Sequence, residues 1–424
     1  MTSTGRLLAI SLLIPGLSWP AMQGQAGAVA GKAEIEFWTM QLSPVLDDYI
    51  LSSIAEFERL NPDVAAVKWV DVAWADMERK LLSSVAAGTA PDVANLNPQF
   101  SSKLAEFNAL EDPTLFLAPE TIASYHPAVW SSNRLKGQYF GIPWYLSASI
   151  AIYNRSIFEQ AGVGFPDAIE EIPMIGRAIR KATGKYTYFP SFDGGEPMEN
   201  YVLLGGGISN DLPAFGLSDP SVRKLLRYYA ELYSSGSVPP SVLIEGHQKA
   251  VDLFQSGELA MLLSGMQMLR NIELNAPGLM ADIVVKPHPN ADQGRTNIAA
   301  MNLVVPRQTE YPEEAFRFIV FMTSPEKQTE MAKRVPVLPS TPRSLEDPFF
   351  AAVGLHHHYE TARAHSIDQI RQGGVLLPPL ARYSRLRTAF ILQTQRVMLG
   401  EASVEEGADQ LISDWSHISR TQHE

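Results

Sequence analysis

Residues 33–99 read AEIEFWTMQLSPVLDDYILSSIAEFERLNPDVAAVKWVDVAWADMERKLLSSVAAGTAPDVANLNPQ. Ile35 and Phe37 alternate with Glu34, Glu36 and Trp38, which is the period of a strand. Ser43-Pro44 then predicts a helix start with proline at the first helical position. Val45, Leu46, Tyr49, Ile50, Ile54, Phe57 and Leu60 recur at helical spacing, and Asn61-Pro62 ends the run. A second strand is expected over 64–72. A second helix carries Met77, Leu81, Leu82 and Val85 and stops at Gly88, and a third strand covers 91–96. The order β-α-β-α-β, with helical crossovers, favours right-handed connections and a parallel sheet. In open α/β sheets the ligand sits beyond the carboxyl ends of the strands. Those ends are Trp38-Thr39-Met40-Gln41, Ala73-Trp74 and Asn97-Pro98-Gln99: aromatic and amide side chains, with no glycine-rich phosphate loop.

The α/β character continues. Gly141-Ile142-Pro143 reads as a break before a strand at about 148–153, and helices are expected around 157–161, 171–183 and 221–235. Gly257 to Leu263 leads into a loop at Ser264-Gly265-Met266. Residues 283–286 and 299–305 are strand-like, 313–322 is helical, and the last part of the chain is helix-rich with proline breaks.

Several stretches carry a family resemblance. They are Phe57-Glu58-Arg59-Leu60-Asn61-Pro62-Asp63-Val64; Ala86-Ala87-Gly88-Thr89-Ala90-Pro91-Asp92-Val93; Tyr139-Phe140-Gly141-Ile142-Pro143 followed by Tyr153-Asn154, Phe158 and Ala161-Gly162; and Gly257-Glu258-Leu259-Ala260-Met261. In order and separation they resemble the family 1 extracellular solute-binding proteins, the maltose-binding-protein-like sugar-binding components of ABC importers. The resemblance implies an α/β, two-lobed periplasmic-binding-protein fold. Each lobe would be a mostly parallel sheet flanked by helices, and hinge crossovers would join the two. It would place 31–140 and 282–334 in the N-lobe and 141–281 and 335–424 in the C-lobe. It also implies capture of a small carbohydrate by hinge closure and delivery to ABC permease subunits, with no enzyme activity and no cofactor. One departure is that Gly265-Met266-Gln267-Met268 lacks the tryptophan platform such proteins often carry there. This points to a small ligand, disaccharide-sized or a glycosylglycerol-type osmolyte.

A sugar offers apolar C–H faces for aromatic stacking and a ring of hydroxyls for Asp, Asn, Gln and Arg. The candidate ligand-binding residues are therefore Trp38, Gln41, Trp74, Asn97, Gln99, Trp144, Tyr145, Asp193, Gly265, Met266, Asn302 and Arg343. Each has a plainer reading. The tryptophans could pack in a core, Asn97 could cap the helix that follows it, Asp193 could form a turn before Gly194, and Arg343 could be solvated surface. Of Trp144 and Tyr145, neighbours in an extended segment, one is expected to face the cleft and the other to pack.

Bulk properties narrow the rest. At 424 residues the chain exceeds one ordinary domain, and its net charge of −12 argues against nucleic acid as a partner. It has no cysteine, which excludes disulfides, thiol chemistry and a lipid-bearing Cys anchor. Arg6, the apolar stretch Leu7 to Trp19 and the small residues at Ala26-Gly27-Ala28 and Ala28-Val29-Ala30 read as a signal peptide over 1–30. The mature chain is expected to be a periplasmic, unanchored monomer. His356-His357-His358 with Glu360 puts His356 and Glu360 four apart, yet no second pair stands at a metal-binding spacing, and no metal is expected. No nucleophile elbow, P-loop or zinc helix is present. A secreted glycoside hydrolase would need two carboxylates in one pocket, whereas Asp47-Asp48, Glu111-Asp112, Glu170-Glu171 and Glu313-Glu314 are adjacent pairs that diverge on a helix. The other alternative, a periplasmic protein adaptor, has no need of aromatic side chains at strand ends.

Overall fold

The computed structural model describes residues 32–209, 216–291, 297–351 and 358–420. The expected signal segment, His356 and His357 lie outside them.

The opening stretch folds as its periodicity predicts. Strand β1 (Ala33–Met40) pairs in parallel with β2 (Val64–Val72) and with β3 (Val93–Leu96). Ile35 and Phe37 face one side, where helices Asp47–Leu60 and Pro312–Met322 cover them; Phe37 meets Phe318 edge-on at 5.2 Å. Trp38 and Met40 face the other side, beneath Met77 and Leu81 of helix Trp74–Ala87 and Leu104 of helix Pro98–Glu106. Gly88 closes the first of these helices in the left-handed region, φ 73°, where a glycine costs least. One boundary differs from expectation. The first helix starts at Asp47, not at Pro44, so Val45 lies before it and is 68% exposed.

After the small hairpin β4 (Arg134–Leu135) and β5 (Gln138–Tyr139) comes the longest strand, β6 (Ile142–Asn154). Its first half pairs antiparallel with β9 (Ile298–Val304) and β10 (Leu338–Pro339), and β9 pairs antiparallel with β3. Its second half pairs antiparallel with β7 (Met261–Gly265) and β8 (Ile283–Pro287). A single strand thus runs from one sheet into the next and joins two lobes. The second lobe has its own core, in which Ile150, Ile152, Met261, Ile283 and Val285 pack against helices Ile172–Thr183, Asp219–Ser234, Tyr383–Met398 and Val404–Arg420.

Two expectations change in this lobe. Its strand pairs are antiparallel, with the bridge Tyr186–Leu259 running parallel, so the mostly parallel description holds for β1–β3 only. The chain was also expected to return to the first lobe at residue 282. Ile283 and Val285 belong to the second core, and β8 pairs with β6 from Ile150 to Asn154, which puts the return after β8. Among the described residues no helix is long and apolar enough to cross a membrane.

Candidate functional site

The loop after β1 is pinned by Asp71 near the end of β2. Its Oδ1 accepts from Thr39 Oγ1 at 2.6 Å and from Leu42 N at 3.0 Å, and its Oδ2 accepts from Ser43 N at 3.1 Å. This turns Gln41 into the left-handed region, φ 52°, and aims its Oε1 at the backbone N–H of Trp74, 3.2 Å away. Gln41 therefore tethers the start of helix Trp74–Ala87. Trp74, the first residue of that helix, projects from the lobe and is 48% exposed. It borders a cleft of about 720 Å³ together with Asn97, Gln99 and Lys103 on the first lobe and Asp193, Tyr383 and Arg387 on the second. Asn97 also caps helix Pro98–Glu106, its Oδ1 accepting from Phe100 N at 2.8 Å. Across the cleft, Gln99 hydrogen-bonds the Tyr383 hydroxyl and Arg382 N donates to Glu106 Oε2 at 2.9 Å.

A second, smaller cavity of about 370 Å³ lies within the second lobe and shares Asp193, Gly194 and Gly195 with the cleft. Glu196 and Glu199, on the first turn of helix Glu196–Leu203, both line it, joined by Ser149, His247, His288 and Asn297. Glu196 accepts from the Tyr188 hydroxyl, from Ser191 N at 2.6 Å and from Asn200 Nδ2 at 3.4 Å. Burial pushes its carboxyl up to about 7. Glu199 is raised to about 7 by burial and by the charge of Glu196, with a hydrogen bond from Asn297 opposing. The two histidines add no positive charge at neutral pH, because burial lowers both, His288 to about 4. His288 is buried, its Nδ1 sits 2.6 Å from Pro289 O, and its Nε2 has no protein partner among the described residues. Among the described residues no Lys or Arg lines this pocket.

The wall between the cavities is held from behind. Arg387 Nε donates to Gly194 O at 2.6 Å and its Nη2 to Phe192 O at 2.9 Å. Asp193 Oδ2 accepts from His247 N at 3.1 Å, and a Cβ at Gly246 would collide with that same carboxylate. Replacing Arg387 with Ala removes two hydrogen bonds from a charged donor. The expected loss is about 1–3 kcal/mol of stability, with faster amide exchange at Phe192–Glu196 in hydrogen-exchange mass spectrometry; unchanged exchange there would show the clamp to be dispensable.

Of the sequence candidates, Trp74, Asn97, Gln99 and Asp193 come together at the cleft. The others do not reach it. Trp38 is 5% exposed, donates its Nε1 to Glu36 Oε1 at 2.5 Å, and lies under Lys80 at 4.1 Å, because helix Trp74–Ala87 covers its face of the sheet. Trp144 is fully buried with its ring 6.1 Å from Phe37. Tyr145, its ring 5.4 Å from that of Trp144 where the β6–β9 register shifts, stays partly exposed, its hydroxyl raised by burial and by Asp71, but it borders neither cavity. Met266 packs in the second core, and the upstream residues Met261–Leu263 line the second-lobe pocket where Gly265 and Met266 were expected. Asn302 is fully buried; its Oδ1 accepts from Asn133 Nδ2 at 2.7 Å and its carbonyl from Asn95 Nδ2 at 3.3 Å, so it ties β9 to its neighbours. Arg343 is exposed and lines neither cavity, the solvated alternative. His358 Nε2 lies 2.9 Å from Met280 O, and no group of three or more metal-ligating side chains occurs among the described residues.

Sequence reasoning missed Glu196, Glu199, His247, His288 and Tyr383. The signal for the first two was present: Glu196-Pro197-Met198-Glu199 follows Gly194-Gly195 and spaces two carboxylates three apart, on one helical face.

Known proteins share this architecture. The profile of the bacterial extracellular solute-binding proteins matches residues 52–356. A Synechococcus sp. MITs9220 periplasmic-binding protein, solved with and without zinc and assigned by name to oligosaccharides, is 33% identical. It superposes with a TM-score of 0.83 over 91% of this chain and 98% of its own. The arabinooligosaccharide-binding protein of Halalkalibacterium halodurans is 24% identical, covering 71% of this chain and 70% of its own. The mannitol-binding protein of Pseudomonas aeruginosa is 23% identical, covering 63% and 64%. The fold is the two-lobed periplasmic-binding-protein fold, and the chain belongs to the bacterial extracellular solute-binding protein family.

Proposed function

We propose that this protein captures a small carbohydrate, a disaccharide-sized sugar or a glycosylglycerol-type osmolyte, and hands it to ABC permease subunits from the periplasm. The observation that carries this reading is the pairing of an exposed indole, Trp74, with an acceptor-rich pocket across one cleft. The indole suits the C–H face of a sugar ring, and the carboxyls and amides of the pocket suit its hydroxyls. A cavity of about 370 Å³ is small for a long oligosaccharide, and the names of the relatives span sugars and a polyol.

Closure about the β6 crossover would bring Trp74 toward the Glu196 pocket, with ligand contacts to both walls shifting an open–closed population. On this reading the first lobe comprises 32–140 and the segment from β9 to about residue 334, and the second lobe the remainder.

The test is a thermal-shift panel of mono- and disaccharides, mannitol and glycosylglycerols. A ligand present at about 100 times its Kd adds about 2.7 kcal/mol of stability, which reads as a rise in Tm of a few degrees. No shift with any of them sinks the carbohydrate assignment.

A further inference from the structure

We propose that ligand capture in the second-lobe pocket is coupled to proton uptake from solvent, the proton being held by the Glu196–Glu199 pair. The inference rests on the reading of this pocket as the ligand site and concerns how that site is regulated.

The geometry is asymmetric. Glu196 is fixed by three donors, the Tyr188 hydroxyl, the Ser191 amide and the Asn200 side chain, and an ionised carboxylate, which only accepts, satisfies them all. Glu199, one turn on, has the Asn297 side chain and the like charge of Glu196. Among the described residues the other ionisable groups around it do not compensate. Asp193 on the loop is a further acid, and His247 and His288 are held neutral by burial. Tyr188 and Tyr229 on the core side are raised by burial and by the charge of Glu196. Tyr383 on the facing helix is raised by burial and by Glu199, and the nearby Arg387 guanidinium is engaged with the carbonyls of Phe192 and Gly194.

A neutral polyhydroxylated ligand entering the pocket displaces water without bringing a cation, so ionising the second carboxyl becomes harder still. Glu199 then takes a proton from solvent on one carboxylate oxygen. Its new O–H donates to a ligand oxygen; the donor is hydronium or the buffer acid, whose bond to that proton breaks and which is left as its conjugate base.

The sign follows. Burial raises both carboxyls to about 7. If the bound state raises Glu199 further, the protonated form binds more tightly. Affinity is then full below about pH 7 and falls by up to about tenfold per pH unit until the bound-state value is passed.

The experiment is titration calorimetry of the full mature chain with maltose and with glucosylglycerol between pH 5.5 and 9, in phosphate and in Tris. Because these buffers differ in ionisation enthalpy, they report protons exchanged. The expected result is net uptake of a substantial fraction of a proton near pH 7, with Kd rising at alkaline pH. The Glu199→Gln variant, its fold checked by circular dichroism, is expected to flatten the pH profile and abolish the uptake. Proton release, no buffer dependence, or a variant profile as steep as that of the parent would each overturn the proposal while leaving sugar binding intact. Binding of neither compound at any pH would overturn the functional reading along with it.

Discussion

Trp144→Ala is expected to lower the free energy of unfolding by about 3–5 kcal/mol, the range for truncating a large buried aromatic. Trp144 is fully buried in β6, its ring 5.4 Å from that of Tyr145 and 6.1 Å from that of Phe37. It belongs to the core that also holds Phe318 and Ile319 of helix Pro312–Met322 and Tyr49 of helix Asp47–Leu60. Deleting the indole opens a cavity among rings that β1 and two helices hold from both sides, so little collapse is available to refill it. Urea unfolding followed by circular dichroism would show a lower midpoint with an unchanged slope. A loss under about 1 kcal/mol would mean that this side chain is not the packed centre described.

The second large effect is on ligand affinity. Trp74→Ala is expected to weaken binding by roughly 10- to 100-fold, about 1.4–2.8 kcal/mol, with little change in stability because the ring is half exposed in the free protein. Its neighbours explain why this tryptophan, and not Trp38, stands exposed at the cleft and is the one proposed as the platform. Gln41 holds the Trp74 amide, which starts the helix at the edge of the sheet and leaves the ring beyond it. Trp38 lies inside β1, under the helix that Trp74 begins. Affinity within twofold of the parent would assign Trp74 to the rim.

These two residues mark how far the sequence could be read. Strands β1 to β3 and their helices were legible because Ile35, Phe37, Met77 and Leu81 repeat at periods that burial imposes. The full length of β6 was hidden by Pro143, which reads as a break. In the structure the pairing with β9 shifts register between Pro143 and Tyr145, an irregularity of the kind that accommodates a proline lacking an N–H. The candidate site was half legible. Strand ends locate a cleft, but whether a tryptophan near one points into solvent or into a core depends on a helix that packs later. The second wall was less visible. Tyr383 and Arg387 reach the cleft from a helix far along the chain, and nothing local to their sequence marks them. Glu196 and Glu199 could have been found by testing carboxylates three apart as well as adjacent ones.

One small carbohydrate is proposed to bind between Trp74 and the Glu196 pocket. Titration calorimetry of the parent chain at pH 6 with the best ligand from the panel tests it most directly, run alongside Trp74→Ala and Glu196→Ala. The expected result is one site per chain in the parent and weakened binding in both variants, one from each wall. Parent-like affinity in both variants would contradict it.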